Sequence, residues 1–101
     1  MLTGKQKRYL RSLGHSLRPL ILIGKGDLTE PLIAETGVAL AAHELIKVKL
    51  LESCQLDRTA AANALATACG AEVAQVLGRT FLLFRRGETP VIELPTAGKD
   101  I

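Results

Sequence analysis

The chain is poor in aromatic residues, and this limits how its core and any binding surface can be built. Aromatic side chains make up only 3% of the 101 residues, and tryptophan is missing. The core must therefore be built from leucine, isoleucine, valine and alanine, and base stacking is excluded as the main source of affinity for a nucleic acid. Cysteines are also few: Cys54 and Cys69 form no metal-binding or redox motif, which favours two reduced, partly buried thiols.

Long apolar runs and N-terminal acids are also missing. No apolar run approaches the roughly 20 residues that a bilayer span needs, and there is no signal-peptide core, so we expect a cytoplasmic protein without a membrane partner. Residues 1–26 contain six basic residues and no acid, whereas residues 27–75 contain seven acids and three basic residues. This uneven charge favours a polyanionic partner, with a solvated charged helix as the alternative.

The first predicted helix combines an apolar stripe with a basic one. A capping box at Thr3–Gln6 marks its start and Gly14 marks its end. At about 100° per residue, one side carries Tyr9, Leu10 and Leu13, which we expect to lie in the core. The opposite side carries Lys7, Arg8 and Arg11.

Beyond this helix the hydrophobic pattern predicts the element order α-β-α-β-α-β-β. The run 20–23 is entirely apolar and is typical of a strand buried on both faces. Three helices and four strands predict an α/β fold, a two-layer sandwich in which helices cover a four-stranded mixed sheet. The predicted strands are 20–23, 45–51, 72–77 and 80–85, and the later helices are predicted to begin near Thr29 and after an N-cap at Asp57.

Prolines and a glycine near the C-terminus separate a tail from the rest of the chain. We predict one domain over residues 1–86 and a tail over residues 87–101, in which Pro90, Pro95 and Gly98 interrupt regular structure. A short edge strand is predicted at 91–94, and the last residues are expected to fray.

The most specific local feature is the turn Gly24–Asp27 between a strand and a helix. The backbone N–H groups of a glycine-rich turn can approach an anion, and Lys25 adds a full charge beside a helix N-terminus. A plain turn that needs glycine for its geometry is the alternative. We find no nucleotide-binding motif, no metal-ligand cluster and no nucleophile with a base. We therefore expect no enzymatic activity, no cofactor, no metal and no small-molecule substrate.

Four sequence blocks resemble the CRM domain family (chloroplast RNA splicing and ribosome maturation), and in particular its bacterial YhbY-like RNA-binding members. The blocks are Leu2–Leu10, Leu20–Glu30, His43–Lys49 and Gln75–Arg85, in that order along nearly the whole chain. The resemblance implies a fold similar to the C-terminal domain of the third bacterial translation initiation factor. It also implies RNA binding and a role in assembly of the large ribosomal subunit.

The resemblance further implies a Gly-x-x-Gly loop, which falls here on residues 24–27 with Asp27 in the last position. Asp27 would either repel a phosphate or cap the second helix and point away from the ligand. We expect affinity to come from phosphate contacts and to fall steeply with salt. For Arg79 and Arg85 the other interpretation is protection of a sheet edge. The predicted RNA-binding residues are Lys5, Lys7, Arg8, Arg11, Arg18, Gly24, Lys25, Gly26, Asp27, Arg79 and Arg85.

A second class of function is also compatible with the sequence. A protein-interaction module could bind a ribosomal protein or an assembly factor through its apolar tail or an edge strand, without direct RNA contact. Such binding would tolerate salt, which distinguishes it from phosphate recognition.

Overall fold

The computed structural model describes residues 2–95, and its elements follow the predicted order. The four strands form one sheet in the order β1-β2-β4-β3, with β1 parallel to β2 and the other neighbours antiparallel. The predicted α/β fold with a four-stranded mixed sheet is therefore confirmed. The elements are α1 (Gly4–Gly14), β1 (Pro19–Ile23), α2 (Glu30–His43), β2 (Leu45–Leu50), α3 (Arg58–Cys69), β3 (Glu72–Leu77) and β4 (Thr80–Phe84).

Helices lie on both faces of this sheet. The apolar side chains of β4 therefore point alternately into two separate cores, one on each face. Phe81 and Leu83 are buried with α2 and α3, whereas Leu82 and Phe84 are buried in a smaller core with α1. The predicted two layers hold for the sheet with α2 and α3, and α1 adds a partial third layer. We call the side of the sheet that carries α1 the α1 face.

Strand β1 is half-buried, so the prediction that both its faces are buried is wrong. Ile21 and Ile23 are buried on the side of α2, whereas Leu20 and Leu22 point to the α1 face and are exposed. The reason is that β1 lies at the sheet edge, whereas α1 packs against β2 and β3. An apolar run is buried on both faces only where helices cover both.

Helix α1 begins with the predicted capping box, in which the Thr3 hydroxyl accepts the N–H of Gln6. Leu10 is fully buried, but Tyr9 is exposed, so its predicted place in the core is wrong. Helix α1 ends at Gly14, as predicted. A glycine at a helix end usually allows a left-handed conformation, but here His15, the next residue, is right-handed and Gly14 has no positive φ. The structure instead requires Gly14 for close packing, since a β-carbon there would overlap the side chain of Leu82.

We expect Gly14→Ala to lower the free energy of unfolding by about 1–3 kcal/mol, because the new β-carbon would displace the side chain of Leu82, which is buried in the small core. Gly37→Ala is the matched control. It replaces another helical glycine, but its β-carbon would meet nothing within 4 Å. Helix propensity should make this control more stable by about 0.5–1 kcal/mol. Urea denaturation measures both, and effects of the same sign would contradict the close-packing role.

Residues 91–94 form no edge strand, which corrects that prediction, and the N–H groups of Val91 and Ile92 bind a carboxylate instead. Glu44, directly after α2, accepts the N–H groups of Gly87 (2.7 Å), Val91 (3.0 Å) and Ile92 (2.8 Å). Its side chain is buried, and its backbone has a left-handed φ of 63°. Three donors satisfy the buried carboxylate and replace the hydrogen bonds of a strand.

The same C-terminal segment also packs on the α1 face. Ile92 and Leu94 contact the small core beneath α1, and the side-chain amide of Gln6 donates to the carbonyl of Pro95 (3.0 Å). Residues 87–95 are thus attached to the body of the protein. The predicted domain boundary at residue 86 stays a prediction, and the end of the predicted tail, residues 96–101, lies outside the described residues.

Glu44 should make stability depend on pH in the acidic range. The N–H groups of Gly87 and then Ile92 hold the pKa of this carboxyl below its usual 4.5, against the opposing effect of burial. Because the folded-state pKa is lowered, the carboxylate stabilises the protein fully above the unfolded-state value. This contribution is lost as the pH falls through the folded-state pKa.

We expect Glu44→Gln to cost about 1–3 kcal/mol at neutral pH, because the amide cannot accept all three N–H groups. The cost should shrink as the pH falls through the folded-state pKa of Glu44. Chemical denaturation across this pH range measures the difference, and Glu93→Gln, at an exposed acid of the same segment, is the control. A cost that does not change with pH would contradict the prediction.

Candidate nucleic-acid interface

Helix α1 presents basic residues on the sides that do not face the sheet. Arg8 and Arg11 are exposed, and Lys7 is half-buried beside Val73 at the edge of β3. Lys5 is also half-buried, and Arg18 is exposed in the connection to β1. An acid on the same face, Glu72, accepts the N–H of Leu2 (2.8 Å). The five basic residues predicted in this part of the chain therefore all belong to α1 and the segment that follows it.

Three loops meet at one end of the sheet, and we call residues 24–27, 51–57 and 78–79 the loop end. The N–H of Leu51 donates to the carbonyl of Ile23 (2.8 Å), and the N–H of Leu50 donates to the carbonyl of Arg79 (2.7 Å). The turn 24–27 is closed by a hydrogen bond from the Asp27 N–H to the Gly24 carbonyl (3.0 Å). This turn leaves Lys25 and Gly26 exposed at its tip.

Asp27 has the left-handed conformation that a glycine would adopt most easily. Its φ is 55°, which Asp tolerates better than most residues. Its Oδ1 accepts the N–H of Gln55 (3.2 Å), so the neighbouring loop fixes the carboxylate. The interpretation that Asp27 caps the second helix is wrong, because the Thr29 hydroxyl caps α2 by accepting the N–H of Leu32 (3.3 Å).

Arg79 belongs to the loop end and holds it together. Its Nε donates to the carbonyl of Leu50 (3.1 Å), and its Nη2 donates to the carbonyl of Leu51 (2.5 Å). These bonds join the β3–β4 hairpin to the end of β2. Arg79 thus positions the loops as well as contributing positive charge.

Arg85 lies at the opposite end of β4 from the loop end, and the structure does not bring it together with the other predicted residues. Its Nη1 donates to the carbonyl of Cys69 (2.8 Å), and its Nη2 donates to the carbonyl of Gly37 (3.0 Å). The guanidinium therefore ties the end of α3 to α2. This geometry supports a structural role for Arg85.

Strand β2 adds two basic residues that the sequence prediction did not include in the site. Lys47 and Lys49 alternate with residues buried against α2 and α3, so they point to the α1 face. Lys49 is exposed and Lys47 is half-buried. The alternation is visible in the sequence, but only the packing of α1 shows which face of the sheet the lysines share.

The register of the sheet places these lysines between α1 and the loop end. Lys47 pairs with Leu82, against which α1 packs, and Lys49 pairs with Thr80 at the start of β4. On its other side Lys49 pairs with Leu22, close to the glycine turn. Basic side chains thus occur on α1, on the part of β2 that shares its face and at the loop end, while Lys7 lies on the opposite side of α1, at the β3 edge.

Residues 2–95 offer no evident site for a metal. No three His, Cys, Asp or Glu side chains among them are grouped so that they could hold an ion. In the same part of the chain, every helix is too short or too polar to cross a bilayer.

Comparison with known proteins identifies the family. Residues 2–85 match the CRS1 / YhbY (CRM) domain, and the chain belongs to this family, as the four sequence blocks predicted. A Bacillus subtilis protein named "Probable RNA-binding protein YqeI" is 43% identical, over 94% of this chain and 100% of its own length. A Haemophilus influenzae protein named "RNA-binding protein" is 37% identical, over 93% of this chain and 95% of its own length.

A solved structure agrees with the fold. The solution structure of a Staphylococcus aureus protein has 44% sequence identity and a TM-score of 0.80, and the match covers 94% of this chain and 100% of that one. The similarity to the C-terminal domain of the initiation factor stays a prediction.

Proposed function

We propose that the protein binds structured RNA through phosphate contacts, on a surface formed by the α1 face and the loop end. The observation that carries this proposal is the series of basic residues from α1 across β2 to the loop end. Several lysines and arginines on one face attract a polyanion and release its counterions on binding. The names of the relatives support RNA as that polyanion.

The two parts of the surface would act differently. Arg8 and Arg11 on α1 would make charge-assisted contacts to phosphate oxygens, which position the RNA without reading its sequence. At the loop end, Lys25 and the exposed backbone of the turn would hold one segment of the RNA chain, as Gly-x-x-Gly loops do. With few aromatic residues, selectivity would come from RNA shape.

We further propose ribosomal RNA of the large-subunit precursor as the partner and assistance in subunit assembly as the role, in the cytoplasm and without catalysis. The support is the resemblance to the bacterial YhbY-like proteins. Direct contact with ribosomal proteins is compatible with this role.

We expect Arg8→Gln/Arg11→Gln to weaken binding to a large-subunit ribosomal RNA fragment and to make it less sensitive to salt. Removing one phosphate contact should lower the slope of log affinity against log salt by about one, so the expected change for the two arginines is about two. The measurement is a titration with the RNA at a series of salt concentrations. The control is Val38→Glu/Ala42→Glu, which lowers the net charge by the same amount at two exposed positions of α2, away from α1, β2 and the loop end.

Two results would contradict the proposal. If both double variants lower the slope equally, only the net charge matters and α1 is not the contact surface. If the unmodified protein binds no RNA even at low salt, phosphate recognition fails and the protein-partner interpretation takes its place.

At the loop end we expect Lys25→Gln and Asp27→Asn to differ. The first removes the exposed charge at the tip of the turn and should lower the salt slope by about one. The second should change RNA affinity by less than about threefold, because a carboxylate held by the Gln55 N–H is already paired and Asn tolerates the same left-handed φ. A large gain of affinity in Asp27→Asn would instead show that the carboxylate repels the RNA.

A further inference from the structure

We infer that the part of the α1 face left open beside α1 receives an unpaired nucleotide of the RNA. We call this part the open patch; it consists of Leu20 and Leu22 of β1 with Lys47 and Lys49 of β2. The inference rests on the proposed function and specifies which kind of RNA the surface prefers.

The open patch combines apolar surface with positive charge. Leu20 is 49% exposed and Leu22 is 52% exposed, on the side of β1 opposite its buried isoleucines. Single exposed apolar residues are ordinary on protein surfaces, but neighbouring ones that form a patch mark binding sites. Lys49 pairs with Leu22 in the sheet, and Lys47 lies near Leu20 on the same face, so both leucines have a lysine beside them.

A small pocket extends the patch towards α1. Leu20 lines it together with Leu17 and Leu45, and Arg18 and Lys47 also border it. Its volume is about 180 Å³. Complete small molecules usually occupy sites of roughly 300–1,000 Å³. This pocket therefore suits one group of a larger ligand.

An unpaired nucleotide has the matching chemistry. In an RNA duplex the bases are stacked inside, and the surface offers phosphates and hydroxyl groups. An unpaired nucleotide can turn its base outward, which places a flat, largely apolar group next to an anionic backbone. The leucines would then contact the base while Lys47, Lys49 and Arg18 contact the neighbouring phosphates.

A second copy of the chain fits this patch poorly. If two copies joined through the patch symmetrically, each would bring Lys47 and Lys49 towards the same lysines of the other. Like charges in contact oppose such a complex. The charge of the patch therefore favours RNA as the occupant.

The test compares an RNA duplex with the same duplex carrying an unpaired bulge. We expect the unmodified protein to bind the bulged duplex more tightly. Leu20→Ser/Leu22→Ser should lose about tenfold affinity for the bulged duplex, since burial of roughly 60 Å² of apolar surface is worth about that factor. Its affinity for the plain duplex and its salt slope should not change, because no charge is removed. Val38→Ser, at an exposed valine on α2, is the control and should change neither.

The outcomes separate this inference from the proposed function. If the protein binds neither RNA, the proposed function fails. If it binds both RNAs equally, or if the double variant keeps full affinity for the bulged duplex, only the inference is overturned. Loss of self-association in the double variant, with unchanged RNA binding, would assign the patch to a second copy and also overturn it.

Thermal unfolding of each variant checks that the fold is kept. Should the double variant unfold, Leu22→Thr repeats the comparison with a side chain that suits a strand. The same criteria then apply to its affinity for the two duplexes.

Discussion

The structure depends on the burial of β4 on both of its faces. This strand lies inside the sheet, and its four apolar residues alternate between the core under α2 and α3 and the core under α1. Leu82 and Phe84 would face water if α1 were absent, which is unfavourable for large apolar side chains. Helix α1, which covers these two side chains, also carries four basic residues: Lys5, Lys7, Arg8 and Arg11. The proposed RNA-binding surface is therefore anchored in the core by the residues that stabilise the fold.

Two other contacts fix α1 in place. Gly14 lets the helix approach Leu82 closely, and the segment 87–95 packs along the same small core. That segment is held in turn by the Glu44 carboxylate at the end of α2. A buried carboxylate at the end of α2 thus contributes to the position of the helix that carries the basic residues of α1. This connection explains why the C-terminal segment is ordered without forming a strand.

Local signals in the sequence predicted most of the elements. The capping box at Thr3, the N-cap at Asp57 and the alternation in β2 all act over a few residues, and the structure has each of them. The apolar run of β1 led to the wrong prediction that both faces of the strand are buried, because burial there depends on which helices reach the sheet edge. The contact of Glu44 with residues 87–92 spans more than 40 positions, and no local pattern predicts it.

In the candidate surface, too, some residues could be predicted from local sequence and others depend on long-range packing. The cations of α1 and the turn at residues 24–27 were predicted from charge and from the resemblance, whereas Lys47 and Lys49 lie in a net acidic part of the sequence. Only the sheet register brings them between α1 and the loop end. Conversely, Arg85 lies in a basic stretch, but its guanidinium binds the carbonyls of Cys69 and Gly37. Net charge along a segment does not tell which side chains share a face.

Nuclear magnetic resonance shows directly whether RNA contacts the α1 face and the loop end. Backbone amide signals would be followed while a large-subunit ribosomal RNA fragment is added to the unmodified protein. If this surface binds the RNA, the signals of residues 4–27 and 45–50 and of the hairpin at 78–79 shift together. Signals on the outer side of α2, such as those of Glu35 and Val38, stay in place. Shifts concentrated on α2 and α3, with α1 and β2 unaffected, would instead place the RNA on the other side of the sheet and rule this surface out.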